Sequence, residues 1–271
     1  MNRLPQISIL GCGWLGLELA KHLMKSGYKV NGSTTSQHKI MLLKNEGINP
    51  FLISLSEQGV SGDLGAFVEK SELLIINIPP GLKRNPHKNH FKEIQGLVQR
   101  LQEWDLQYLI YVSSTTVFKD EIDFPEINNG SNPNGQSNSA RQLIAIENLL
   151  MEHTKWRTAI IRPGGLFGAE RHPGNQLSGR SDLKNPKAPL NLVHRNDVIS
   201  VISALIQLSP KAGCFNVVYP YHPPKKDYYT NYCLTHNLTL PSYNDQLPSK
   251  GKIIDSSKTE QLLNLKLQHK P

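Results

Sequence analysis

Two groups of residues could do chemistry by type and spacing. The first is ISILGCGWLG at residues 7–16, where Gly11, Gly13 and Gly16 follow an apolar run and open a segment of helical period. Glycine at the first position permits a tight turn, at the second lets backbone approach a pyrophosphate, and at the third lets helix pack on strand. The helix N-terminus then offers N–H groups and the positive end of its dipole. The spacing points to dinucleotide binding, with Trp14 and Leu15 joining the three glycines around the phosphates. The second group is YVSSTTVF at 111–118, where an apolar run ends in four consecutive hydroxyls, Ser113, Ser114, Thr115 and Thr116. Such a row suits hydrogen bonding to a ligand oxygen.

The acid that usually reads the ribose about 20 residues after the glycines is missing: after Glu18 no Asp or Glu occurs until Glu46. In its place GSTTSQHK supplies Ser33, Thr34, Thr35 and Ser36, with His38 and Lys39, which could hold a 2′-phosphate that an acid would repel. This favours NADP over NAD. The alternative is a polar turn that caps the next helix.

Short apolar runs must position these groups: ISIL (7–10), FLISL (51–55), ELLIINI (72–78), YLIYV (108–112), TAIIR (158–162) and FNVV (215–218), with YKVNGS (28–33) as a weaker second strand. Runs without polar alternation are strands buried on both faces, and helical segments at 15–25, 90–103, 139–152 and 197–208 lie between them. The pattern predicts a doubly wound parallel α/β sheet. Residues 1–166, completed by 193–219, form the predicted dinucleotide-binding Rossmann domain. Gly-, Pro- and Asn-rich segments at 167–192 and 220–271 form a small substrate lobe.

Composition narrows the classes further. The chain has 271 residues, 38% hydrophobic and 19% charged, which is ordinary for a globular protein. No apolar run reaches membrane-spanning length and no leader-like segment opens the chain, so a cytoplasmic protein is expected. Cys12, Cys214 and Cys233 have no paired spacing, so neither a disulfide framework nor a metal site is expected. A net charge of +8 favours anionic small molecules. The basic stretch KRNPHKNHFK at 83–92 is short and lacks stacking aromatics, which reads as a solvated loop and disfavours nucleic acid.

ISILGCGWLG, NIPPG (77–81), YVSSTTVF, IIRPGGLFG (160–168) and LVHRNDVISVI (192–202), in this order, resemble the extended and atypical short-chain dehydrogenase/reductases, the NAD-dependent epimerase/dehydratase superfamily. The resemblance covers nearly the whole chain. It implies Ser114 as the active-site hydroxyl on a substrate oxygen and Ser113 beside the nicotinamide. It also implies that Pro163, Gly164, Gly165 and Leu166 border the nicotinamide and that Pro79 and Pro80 run beside the ribose. Arg171 would sit where nucleotide-sugar enzymes place a phosphate-binding arginine, and Thr115 joins it as a substrate contact. Dimerisation through the helices at 90–103 and 139–152 is implied as well.

One family feature is replaced. The Tyr-x-x-x-Lys pair that exchanges a proton with the substrate and holds the ribose corresponds here to Ser139 and Leu143, and no tyrosine occurs between Tyr111 and Tyr219. A Tyr-x-x-x-Lys at Tyr221–Lys225 reads YHPPK, whose prolines forbid the helical turn that would align the pair. Ser139 with Gln142 also reads as a capping box. His172 and His194 are alternative proton carriers, or structural residues, with Asn196 or Asp197 capping the helix after His194. Two functions follow: an NADP-dependent oxidoreductase or isomerase with a non-standard acid/base group acting on a small oxygenated substrate, or an inactive dinucleotide-binding sensor or scaffold.

Overall fold

The computed structural model describes residues 5–168, 170–208 and 212–271; Met1–Leu4, Ala169 and Ser209–Lys211, which the predicted spans include, lie outside the described residues. The chain runs β1 (Gln6–Leu10), α1 (Trp14–Lys25), β2 (Lys29–Thr34), α2 (Lys39–Asn45), β3 (Asn49–Leu52), β4 (Ser54–Ser56), β5 (Gly59–Ser61), α3 (Leu64–Val68), β6 (Ser71–Ile76), α4 (His90–Leu101) and β7 (Tyr108–Val112). A 3-10 turn at Thr115–Val117 leads to β8 (Glu126–Ile127), α5 (Asn138–Glu152), β9 (Arg157–Pro163), β10 (Gly165–Phe167), α6 (Pro173–Leu177) and β11 (Leu192–His194). The remaining elements are α7 (Arg195–Gln207), β12 (Gly213–Val217), α8 (Lys225–Thr235), β13 (Ile253–Ile254) and α9 (Ser257–Leu263).

Seven strands form one sheet in the order β12-β9-β7-β6-β1-β2-β3, and the ladders from β9 through to β3 are parallel. This is the expected doubly wound architecture. The chain leaves the sheet at β3 and returns as β6 on the other side of β1, so the strand order reverses between β1 and β6. In this architecture ligands bind at the carboxyl ends of the strands at such a reversal.

Burial explains the apolar runs. Ile7, Ile9, Leu74, Ile75, Leu109, Ile110 and Ile160 are fully inaccessible. Polar residues in the same strands satisfy one another: Ser8 Oγ donates to the Phe67 carbonyl, Ser71 Oγ lies 2.7 Å from Ser8 Oγ, and Asn31 Nδ2 donates to the same carbonyl. The predicted strand at 51–55 divides. Asn49–Leu52 joins the main sheet, whereas Ser54–Ser56 pairs antiparallel with Gly59–Ser61, a turn that Gly59 makes with φ +131°.

The chain packs as two compact units, Met1–Ser113 with Ser137–Ile161 and Ile202–Cys214, and Ser114–Gln136 with Arg162–Val201 and Phe215–Pro271. The lobe spans 167–192 and 220–271 fall inside the second unit, which also takes in 114–136, 162–166, 193–201 and 215–219 from the expected dinucleotide-binding domain. Segment 114–136 is tied there by the parallel β8–β13 ladder and by Lys252 Nζ, which donates to the Phe118 carbonyl at 2.6 Å and to Asp120 at 2.8 Å. The second unit has its own core of Phe167, Leu190, Leu192 and Tyr229, and β10 pairs in parallel with β11. Among the described residues no helix is long and apolar enough to cross a membrane.

Candidate functional site

In the first unit the glycine turn joins β1 to α1 at the strand reversal. Gly11 has φ +105°, and a Cβ there would lie 2.5 Å from the Asn77 carbonyl oxygen. At Gly16 a Cβ would lie 2.2 Å from the Gly11 carbonyl oxygen. Both glycines are therefore demanded by the fold. Gly13 is different: it is exposed, it is the N-cap of α1, and a Cβ there meets nothing within 4 Å. The first turn of α1 has no acidic residue and no side-chain cap, so its N–H groups and positive dipole face outward at the one glycine of this turn whose surroundings are open. Trp14 is half-buried, and Leu15 packs inward while its backbone lies in this first turn.

Two side chains hold the turn, Asn77, which the sequence did not single out, and Ser33, expected in another role. Asn77 Nδ2 donates to the Gly11 carbonyl at 3.0 Å, and the Gly11 N–H donates to Ser33 Oγ at 2.9 Å. Ser33 is thus removed from the group expected to meet a 2′-phosphate, because its oxygen is buried against the glycine turn. Thr34 is committed as well, since its Oγ1 accepts from the Ser36 N–H at 3.1 Å. Thr35, His38 and Lys39 are exposed and Ser36 is half-buried, and His38 makes no side-chain cap on α2. In the loop after β6, Pro79 is exposed and Pro80 half-buried. Burial pushes the Cys12 thiol up to about 12, and the Cys233 thiol is buried too.

The hydroxyl row divides between the units. Ser113, at the end of β7 in the first unit, is buried and donates its hydroxyl to Glu147 Oε1 at 2.5 Å. Its proton being committed, Ser113 offers only lone pairs to a ligand. Glu147 lies on α5 one helical turn beyond Leu143, which is 2% exposed and packs in the core. The predicted Ser139 cap is corrected: α5 begins at Asn138, and Ser137 accepts the Ala140 N–H. Gln142 serves the neighbouring helix instead, accepting the His90 N–H at 2.7 Å and donating to the Lys88 carbonyl at 3.2 Å. In the basic stretch Lys83, Arg84, His87 and Lys92 are exposed as expected, and the departure is at the helix start. His90 is fully buried, its ring 3.0 Å from Glu93, and Lys88 pairs with the same carboxylate at 2.8 Å.

In the second unit, Ser114 Oγ accepts the Thr116 N–H at 3.1 Å and shares a hydrogen with Thr116 Oγ1 at 2.9 Å, while Thr115 is buried within the 3-10 turn. The glycines of RPGGLFG are explained by close packing. A Cβ at Gly164 would lie 2.6 Å from the Asn191 carbonyl oxygen, and one at Gly165 would lie 2.7 Å from Leu192. Pro163 is buried and Leu166 half-buried. Arg171 is exposed, its N–H donating to the Gly168 carbonyl.

Both nitrogens of His172 are engaged. Nδ1 accepts the Gly174 N–H at 3.1 Å, so the proton resides on Nε2, which donates to Tyr228 Oη at 3.0 Å. Burial lowers its pKa to about 4, assisted by His236 nearby. His172 is therefore neutral near pH 7 and orients Tyr228. His194 Nδ1 accepts the Asn196 N–H, and its ring stacks on His269 at 4.3 Å; burial, then His269, lowers its pKa. The expected Asn196 or Asp197 cap is corrected, because α7 begins at Arg195 and Asp197 accepts the backbone N–H groups of Gln268 and His269. Tyr221 lies outside α8, which begins at Lys225, so that pair does not share a helical face.

The parallel sheet with a glycine turn at its strand reversal defines a Rossmann-like α/β fold. Solved structures share this fold. UDP-glucuronic acid 4-epimerase from Bacillus cereus, solved with NAD, matches at TM-score 0.80 and 15% identity over 98% of this chain and 92% of that one. The Bordetella bronchiseptica enzyme WbmG, solved with NAD and UDP, matches at TM-score 0.78 and 15% identity over 100% and 91%. A functionally unknown protein from Silicibacter pomeroyi matches at TM-score 0.76 and 16% identity. No family model matches the chain. Protein YeeZ of Escherichia coli K12 is 31% identical over 270 residues, covering 98% of this chain and 97% of its own length, and the chain belongs to the YeeZ family.

Proposed function

We propose that the chain is an NADP-dependent oxidoreductase or isomerase of the epimerase/dehydratase type, acting on a small oxygenated and anionic substrate. The observation that carries this reading is the contrast among the glycines: Gly11 and Gly16 are required by packing, whereas Gly13 is required by nothing within 4 Å. A glycine kept in open space at a helix N-terminus is what a closely approaching phosphate needs. The residues present fit the group. The backbone of Gly13, Trp14 and Leu15 would hold the pyrophosphate, Thr35, Ser36, His38 and Lys39 the 2′-phosphate, and Pro79 and Pro80 would flank the ribose. NAD is the lesser alternative, since no acid stands ready for a ribose hydroxyl.

The dinucleotide, when bound, supplies hydride chemistry. The chain's own groups orient. In the first unit Ser113 accepts hydrogen bonds because Glu147 fixes its proton; in the second, Ser114 offers its hydroxyl to a substrate oxygen and the exposed Arg171 its charge to an anionic group. With Ser139 and Leu143 in place of a tyrosine and a lysine, the general acid/base assistance that such a pair gives, ~10²–10⁴ in rate, is forfeited unless another group serves. The buried Leu143 is the observation that favours a second reading, a dinucleotide-responsive sensor that does not turn over.

Isothermal titration with NADPH, NADP, NADH and NAD tests the cofactor. Tight binding of the phosphorylated forms, lost in Gly13→Asp with an unchanged melting temperature, is expected. Absence of binding to all four would overturn both readings. Cofactor oxidation on any carbonyl or nucleotide-sugar substrate, abolished by Ser114→Ala, would exclude the sensor.

A further inference from the structure

One face of α8 lines a cavity of about 300 Å³ within the second unit. Tyr228, Asn231, Tyr232 and Thr235 recur at intervals of three and four, the spacing of a single helical face. The walls are rings. His172, Tyr232 and His236 form a continuous stack with centroids 3.8 and 4.0 Å apart, and Phe167 meets the edge of this stack at His172.

The hydrogen-bonding sense of each polar group follows from its partner. His172 donates to Tyr228 Oη, so the phenol's own proton has no acceptor there and is available to the cavity. A phenol already accepting a bond is a stronger donor. Thr235 donates its hydroxyl to the Asn231 carbonyl at 2.9 Å and so presents lone pairs. His236 donates from Nδ1 to the Tyr232 carbonyl at 2.8 Å, so any free lone pair of the ring is on Nε2. One directed donor thus stands beside two acceptors. The lining side chains include no lysine, arginine, aspartate or glutamate, and Pro271 completes the wall.

We infer that this cavity binds an uncharged lactam, a flat ring whose carbonyl takes the Tyr228 hydroxyl and whose adjacent N–H is received by Thr235 or His236. An open hollow with aromatic walls suits a flat π-system, and the donor-acceptor pair is the complement of an amide edge. This site does not depend on the dinucleotide reading.

The test is titration of the full chain at pH 8, followed by NMR, with 2-pyridone, N-methyl-2-pyridone, D-glucose and benzoate as probes. The expected result is millimolar binding of 2-pyridone and about tenfold weaker binding of its N-methyl analogue, one hydrogen bond's difference. Tyr228→Phe, which keeps the ring, should weaken both pyridones about tenfold. Thr235→Val should weaken 2-pyridone alone. Gly13→Asp should change none of these, which separates this site from the dinucleotide site. Equal binding of the two pyridones, indifference to both α8 variants, preference for glucose or benzoate, or no binding of any probe would each overturn the inference.

Discussion

At the scale of single residues, buried polar atoms decide what the site can do. Glu147 is 2% exposed and receives the Ser113 hydroxyl, so Ser113→Ala removes a donor from a buried carboxylate. The expected cost is about 1–3 kcal/mol, measured by urea denaturation, with Ser113→Thr retaining most of the stability. His172 gives a second prediction. Its pKa is about 4 in the folded chain, against about 6.5 when unfolded, so the unfolded chain takes up the proton first as pH falls. Stability present above pH 6.5 is lost between there and pH 4. A melting-temperature series over this range should fall for the native chain and be flatter for His172→Asn; parallel curves would show that His172 is not the titrating group.

At the scale of elements, Gln142 joins α5 to the start of α4 through two backbone groups, the His90 N–H and the Lys88 carbonyl. Gln142→Ala should cost about 1–3 kcal/mol in urea denaturation, more than Ser137→Ala, whose cap faces solvent and is worth about 1 kcal/mol. The two cases show what was legible in the sequence. Strands and helices were, because continuous apolar runs and 3.6-residue periods report burial directly, and ISILGCGWLG placed the glycine turn correctly. The capping box failed because S-x-x-Q is a local pattern, whereas Gln142 is claimed by a partner 52 residues away. Asn77, Glu147 and Tyr228 were missed for the same reason: each acts across 34 to 66 residues, and sequence spacing carries no signal of such contacts. The acid within the apolar run IAIENLL was the one available hint for Glu147.

At the scale of the whole molecule, the chain passes between its two compact units at 113/114, 136/137, 161/162, 201/202 and 214/215. Neither unit is a continuous stretch. A fragment ending at Ser113 would leave β7 without its ladder to β9, an unpaired apolar edge. It should express insolubly, or at least show no cooperative melt, whereas the full chain should be soluble; a soluble, cooperatively folding 1–113 fragment would refute the argument. The same threading has a consequence during synthesis. Val112 and Arg157 are 45 residues apart, so at about 5–20 residues per second the ribosome delivers β9 roughly 2–9 s after β7 is complete. Through that interval the nascent sheet presents the β7 edge, with Leu109, Ile110 and Tyr111 still uncovered on that side, and a chaperone that binds apolar segments has its best target in this half-made state.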